Sequence, residues 1–231
     1  MNIICADAFD WLKKQPDYSL DTIVTGIPDL DELEGLNDTS SKITKEQYVS
    51  FFKDAVELVL KTIRLDEYAI LMQTDRKWKG EWVDKSFLAN TVAQKMGAKL
   101  LWHKIIKNRD GVYLQRPTYT HLMAFSKQGT PGEAFPDIVS CGQHLYKNGT
   151  SPNATCYVMN LLNKKGIENI IDPFVGRGTI PFIAQLFKIK CLGIDIDPEQ
   201  CDYARKLPNN KKMIDIIVET DYFKLYDSKN K

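Results

Sequence analysis

A chain of 231 residues that is 43% apolar and 26% charged has the balance of a soluble globular protein and not of a disordered one. Its length suits one large α/β domain over residues 1–231 better than two very small ones. A net charge of +1 provides no overall basic field for a polyanion, which leaves only a local basic groove for such a partner. No apolar run reaches the length of a membrane span, so no membrane association is expected. The start, Met-Asn-Ile-Ile-Cys-Ala-Asp, lacks the basic and apolar regions of a signal peptide. Cys5, Cys141, Cys156, Cys191 and Cys201 form no C-x-x-C pair and mostly sit in apolar stretches. They read as buried reduced thiols of an intracellular protein (cytoplasm or nucleus), with neither disulfides nor a metal site.

In chain order, residues 2–6 read as a strand ending at Asp7, followed by a helix from Ala8 to about Lys14. Asp21 to Thr25 is a second buried strand, stopped by Gly26-Ile27-Pro28-Asp29. Residues 29–43 are acidic and polar and read as a long loop at a strand end, a common place for function. Thr44 with Gln47 resembles a capping box, and Tyr48, Phe51, Phe52, Ala55, Val56, Val59 and Ile63 recur at helical spacing behind it. Tyr68 to Met72 is a strand. In Asp-Arg-Lys-Trp-Lys-Gly-Glu-Trp, the residues Trp78, Lys79 and Trp82 could flank a substrate, but packing of a loop's aromatics onto the core is the better reading. Ser86 to Met96 is a helix stopped by Gly97, and Lys99 to Ile106 a strand. Residues 107–117 form a basic loop whose Lys107, Arg109, Tyr113 and Arg116 could track phosphates and stack a base, or simply be a solvated loop. Tyr119 to Phe125 is a strand, and 127–150 a Gly/Pro-rich connection. His103 and His121 lie inside strand patterns and read as packing residues. A helix spans 154–163.

Residues 167–179 carry the strongest signal. The apolar run Ile167, Ile170, Ile171 ends in Asp172, crosses Pro173 and enters a turn with Gly176 and Gly178 ahead of an apolar helix, Ile180 to Phe187. Such a strand, glycine turn and helix present a helix N-terminus and close backbone to a cofactor. About twenty residues on, the run Cys191 to Ile194 ends in Asp195, where a ribose-binding carboxylate is expected. A nicotinamide dinucleotide is the rival ligand, but it wants a third glycine. Pro198 starts a further helix, and Met213 to Val218 reads as a last strand. Strands alternating with helices predict a doubly wound, mostly parallel sheet. A cofactor turn normally follows the first strand, yet only about sixty residues follow Asp172. Most strands must therefore come from the N-terminal half, which predicts a circularly permuted Rossmann-like fold in which the strands ending at Asp7 and Thr25 neighbour the one ending at Asp195.

These residues resemble the permuted (β-type) amino-methyltransferases that use S-adenosylmethionine. The likeness runs in the family's order over most of residues 2–206. Ile3 to Asp29 matches the opening G-D strand and "L-P-D-x-S-V-D-L-I-V-T-D-P-P-Y". Trp102 to Lys104, then Arg116-Pro117 with His121 and Phe125-Ser-Lys127, match its middle segments. Ile170-Ile-Asp172-Pro-Phe-Val-Gly176-Arg-Gly178-Thr179 and Gly193-Ile-Asp195-Ile-Asp197-Pro198 match "V-L-D-P-F-x-G-S-G-T-T" and "G-I-E-I-D-P". The resemblance implies that Asp172, Pro173, Phe174, Gly176, Gly178 and Thr179 line the methionine end of the cofactor, with Thr25 beside them. It places Asp195 on the ribose, Ile196 against the adenine, and Asp7, Ala8 and Phe9 about the adenine amino group. Asp7 serves equally as a helix cap. Thr150 and Ser151 match only the position of the family's other methionine-side loop.

The departure lies at the catalytic tetrapeptide. Gly26-Ile27-Pro28-Asp29 stands where the family has D-P-P-Y, so Gly26 offers only backbone and Asp29 cannot stack on a base. Gly26, Pro28 and Asp29 remain the catalytic candidates, with Asp29 as the candidate general base. The expectation is a methyltransferase acting on nucleic acid, RNA or a single strand before duplex DNA, since no large target-recognition domain fits in the chain. The 29–43 and 107–117 loops, with a homodimer mate or partner subunit, would supply recognition. The alternatives are methylation of a protein or small molecule, and a catalytically silent methyltransferase-like subunit.

Overall fold

The computed structural model describes residues 1–36, 43–111, 117–132, 136–146 and 149–229. The first half runs β1 (Asn2–Cys5), α1 (Ala8–Lys13), β2 (Thr22–Thr25), α2 (Leu30–Leu36), α3 (Lys45–Thr62), β3 (Ala69–Gln73), β4 (Arg76–Trp78), β5 (Glu81–Val83), α4 (Lys85–Lys95), β6 (Lys99–Lys107) and β7 (Tyr119–Ser126). The second half runs β8 (Ile138–Ser140), α5 (Pro152–Lys164), β9 (Asn169–Asp172), α6 (Thr179–Leu186), β10 (Lys190–Asp195), α7 (Pro198–Lys206), α8 (Lys211–Val218) and α9 (Asp221–Lys229).

Eight strands form one sheet in the order β1-β10-β9-β2-β3-β7-β6-β8, while β4 and β5 make a separate hairpin. From β1 to β3 every pairing is parallel; β7 runs antiparallel to both β3 and β6, and β8 is parallel to β6. Of the strands expected beside the one ending at Asp195, β1 pairs with β10, whereas β2 lies one strand further on, beside β9. β2 and β3 are buried along their whole length, as parallel strands covered on both faces must be. One face packs under α1, α3 and α4 through Leu12, Phe52, Val56, Leu60 and Ala93. The other packs under α5, α6, α8 and α9 through Met159, Leu162, Phe182, Phe187 and Ile217.

α3 forms as its periodicity predicts, and both halves of the Thr44–Gln47 capping box are present. Four segments differ from expectation: the loop at 75–82 is the β4–β5 hairpin, the 127–150 connection contains β8, and two further stretches change class. Leu30–Leu36 is a helix and not loop: Asp29 accepts from Leu30 N (2.9 Å), Glu32 accepts from Asp29 N (2.8 Å), and Leu30 is buried. Residues 37–42 of that stretch lie outside the described residues. The expected strand at 213–218 is also a helix. Asn210 caps it by accepting from Met213 N, and Met213, Ile214 and Ile217 meet the core at helical spacing, which overrides the β-branched composition. Among the described residues no helix is long and apolar enough to cross a membrane.

Phe52 sits in α3 with no exposure at all, so Phe52→Ala leaves a cavity under the sheet. A loss of about 3–5 kcal/mol in urea unfolding is expected; a loss below about 1 kcal/mol would show that α3 does not anchor this face.

Candidate cofactor and acceptor site

The carboxyl ends of β10, β9 and β2 meet where the sheet's connections turn in opposite directions, the place where doubly wound sheets hold ligands. Asp172 ends β9 and is 1% exposed. It accepts from Thr25 Oγ1 at 2.6 Å and from Phe174 N at 3.3 Å. Burial pushes its carboxyl pKa up to about 7, against the lowering effect of those two bonds. Asp195 ends β10 and bridges the turn, accepting from Gly176 N at 2.7 Å and Asp197 N at 2.9 Å. Its pKa is also raised, chiefly by burial.

The two glycines do different jobs. Gly178 (φ 86°) caps α6, and a Cβ there would lie 2.8 Å from Ala204 Cβ, so α7 seats directly on the turn. Gly176 (φ 52°) has nothing within 4 Å of where its Cβ would be. Backbone with that much open space beside it can take a ligand at contact distance. Pro173 is buried and Phe174 half-buried in the turn, while Thr179 Oγ1 donates to Tyr146 Oη at 2.8 Å. Burial pushes the Tyr146 phenol up to about 12. The Arg177 guanidinium between the glycines lies 5.6 Å from the Tyr146 ring and 5.1 Å from Tyr203.

Asp7 caps α1 by accepting from Asp10 N at 2.9 Å, and Ala8 is buried behind it. The Phe9 ring stands edge-on to Phe174 at 6.2 Å, which brings the first strand's end to the glycine turn. Ile196 is 48% exposed just past Asp195, an apolar side chain left without cover at the strand ends. Ser151 caps α5, donating to Cys141 O (2.8 Å) and accepting from Ala154 N (3.2 Å), and Thr150 precedes it half-buried. The Tyr146–Thr179 bond ties this segment to the turn. Lys107 ends β6 and Arg109 is exposed beyond it; Tyr113 and Arg116 lie outside the described residues.

Across the pocket, Gly26 offers no side chain, and a Cβ would lie 3.3 Å from Met72 O. Pro28 is half-buried. Asp29 is held by Lys85 Nζ at 3.3 Å and Arg76 at 3.5 Å, and Arg76 also grips Asp31 with two bonds at 2.7 and 2.9 Å. Lys85 is 1% exposed, 5.3 Å from the Tyr48 ring. Burial lowers its pKa, opposed by Asp29. Burial, with Asp29 alongside, raises that of Tyr48. Lys85 is not legible as a site residue in the sequence: a lysine after Asp84 reads as a solvated helix start.

His121 is more than packing. It shares bonds with Asp75 Oδ2 (3.0 Å) and exposed His103 (2.8 Å), and Asp75 also accepts from Lys85 N (2.9 Å) and Trp82 Nε1 (3.0 Å). Burial, then the neighbouring His121, lowers the His103 pKa. Asp75, Asp84 and His121 come close enough to suggest a cation, but the Asp75 oxygens are already taken by three donors. Two shallow clefts open at the opposite end of the sheet, around Glu67–Lys165 and Asn2–Lys190, away from the glycine turn.

Gly178→Ala is expected to cost more stability than Gly176→Ala, because only the former meets Ala204; equal losses would remove that packing role. The raised pKa of Asp172 has a sign. Between about pH 4 and pH 7 the folded chain keeps a proton that the unfolded chain releases, so stability falls as pH rises through that window and stays lowered above it. The melting temperature of Asp172→Asn relative to wild type is therefore expected to climb between pH 5 and pH 8. A constant difference would mean that Asp172 ionises freely.

No protein-family profile matches this sequence, and no curated protein matches it. Solved structures do. TTHA0409 from Thermus thermophilus, provisionally a DNA modification methylase, superposes at TM-score 0.67 and 15% identity over 95% of this chain and 97% of its own. Its complex with S-adenosyl-L-methionine gives 0.64 at 14% identity, covering 95% of each chain. The cytosine-N4-specific PvuII DNA methyltransferase gives 0.65 at 17% identity, covering 97% of this chain and 92% of its own. At such identities the likeness is one of architecture, and the chain has the fold of the S-adenosylmethionine-dependent amino-methyltransferases.

Proposed function

We propose that this chain is an S-adenosylmethionine-dependent methyltransferase acting on nucleic acid, RNA or a single strand before duplex DNA. The observation that carries the reading is the turn at Gly176: backbone facing open space, bonded to Asp195, with Asp172 buried behind it. Its Asp195 carboxylate suits two ribose hydroxyls, Ile196 and Phe9 suit an adenine, and the 172–179 turn suits the amino-acid end. The topology is read as a circular permutation within a single domain spanning residues 1–231. The described cysteines are all free thiols, which supports an intracellular location. Similar proteins act, by name, on DNA; an amino group on an extruded or unpaired base is the one a methyl donor can reach. A second copy or partner subunit would complete target recognition.

Bound there, the cofactor supplies an electrophilic methyl group on a sulfonium. What this chain adds is orientation. Gly26 presents its carbonyl to an acceptor amino group, and Asp29, fixed by Lys85 and Arg76, takes the proton released on transfer. The same ion pairs favour a second reading, a silent cofactor-binding subunit, since they hold Asp29 in place by its charge.

Calorimetry with S-adenosylmethionine tests the pocket. Wild type is expected to bind, and Asp195→Ala to bind at least about tenfold more weakly, the worth of a charge-assisted hydrogen bond. No binding by wild type, or unchanged binding by the variant, would sink the cofactor assignment. Transfer of tritiated methyl to RNA, DNA and protein then selects the acceptor. Tight cofactor binding with no transfer to any of them selects the silent subunit.

A further inference from the structure

The β4–β5 hairpin projects from the end of β3 beside the tetrapeptide. Its two-residue turn, Lys79 (φ 45°) and Gly80 (φ 88°), has the positive dihedrals that match strand twist. A lone two-stranded hairpin is marginal in water, so this one must be anchored. Arg76 ties its base to Asp29 and Asp31, Val83 is buried, and Trp78 packs beneath it. Trp82 is the anomaly. The sequence predicts that it packs onto the core, yet it is 45% exposed, with its indole N–H spent on buried Asp75. The bond fixes the ring's position while 45% of the residue stays exposed. Lys77 Nζ lies over the ring, 5.4 Å from its centre, and Lys79 is exposed at the tip. Glu81, the hairpin's own carboxylate, is neutralised by Lys45.

A rigidly held, half-exposed indole flanked by two lysines fits one ligand chemistry: an unstacked base against the ring with phosphates on the ammonium groups. Bases in a duplex already stack on one another and cannot use the ring. We propose that the β4–β5 hairpin is a docking platform for single-stranded nucleic acid, with Trp82 stacking a base next to the acceptor position and Lys77 and Lys79 holding its backbone. The inference rests on the nucleic-acid reading above and names the element that delivers the substrate.

Fluorescence anisotropy with labelled single-stranded DNA, single-stranded RNA and duplex DNA, each about twelve nucleotides long, tests it. Wild type is expected to prefer a single strand, and the two single-stranded arms show which sugar it takes. Trp82→Ala is expected to weaken that binding about tenfold. Trp82→Phe, which keeps a ring and drops the bond to Asp75, is expected to bind between wild type and Trp82→Ala. Lys77→Ala with Lys79→Ala lowers the slope of log affinity against log salt by about 1.4. All these variants should bind S-adenosylmethionine as wild type does, which also shows that they are folded. The proposal is overturned if wild type prefers duplex, if Trp82→Ala binds like wild type, or if Trp82→Phe loses as much as Trp82→Ala. Hairpin-dependent binding by a chain that fails to bind the cofactor would support the platform while removing the methyltransferase reading.

Discussion

The hydrogen bond from Thr25 Oγ1 to Asp172 joins the two halves of the chain at the point where a ligand would lie. The partners are 147 positions apart in sequence, both are buried, and they close to 2.6 Å. A carboxylate so far from water is costly unless it is bonded or protonated. Its pKa near 7 reflects that balance, with Thr25 and the Phe174 amide holding it down against burial. The bond fixes the end of β2 against the end of β9, so the glycine turn and the Gly26–Asp29 segment face each other across one strand spacing.

On either side of that bond the two walls are built differently. The wall at the glycine turn is mostly backbone: Gly176 N on Asp195, Gly178 pressed on Ala204, and α6 capped by a left-handed glycine with no side-chain cap. The wall at Gly26–Asp29 is charge. Lys85 is buried with Asp29 as its compensating partner, and Arg76 spans Asp29 and Asp31. A buried ion pair is seldom a net gain in stability, but losing one member leaves a stranded charge, so such pairs persist where position matters. Here the position concerned is that of Asp29, beside Gly26 at the end of β2.

The legible part of the structure follows from local chemistry. The β9 turn, the α3 capping box and the buried β2 strand each announce themselves within a few residues, through glycine, a Thr–Gln pair or an apolar run. What stays hidden in the sequence depends on distant partners. Lys85 follows a helix-capping aspartate, and only Asp29, 56 positions earlier, makes sense of its burial. α8 reads as a strand because Ile214, Ile216 and Ile217 favour strands locally, whereas packing against α5 and the core settles the matter. Trp82 reads as a core residue because indoles are mostly buried; that its N–H is held by a buried aspartate while the residue stays half-exposed has no signature in sequence.

That aspartate organises the side of the hairpin and Lys85 as Asp172 organises the glycine turn. Burial pushes the Asp75 pKa up, yet the bonds from His121, Lys85 N and Trp82 outweigh it and leave the carboxyl below its ordinary value. Three elements converge on its two oxygens: β7 through His121, the first turn of α4 through the Lys85 amide, and the hairpin through Trp82. The same α4 residue that gives Asp75 its backbone N–H sends its ammonium group to Asp29. A displacement of Asp75 would therefore shift the Trp82 indole and the lysine that fixes Asp29 together. With Gly26 unable to contribute a side chain, that shared carboxylate links the hairpin to the geometry of the Gly26–Asp29 segment.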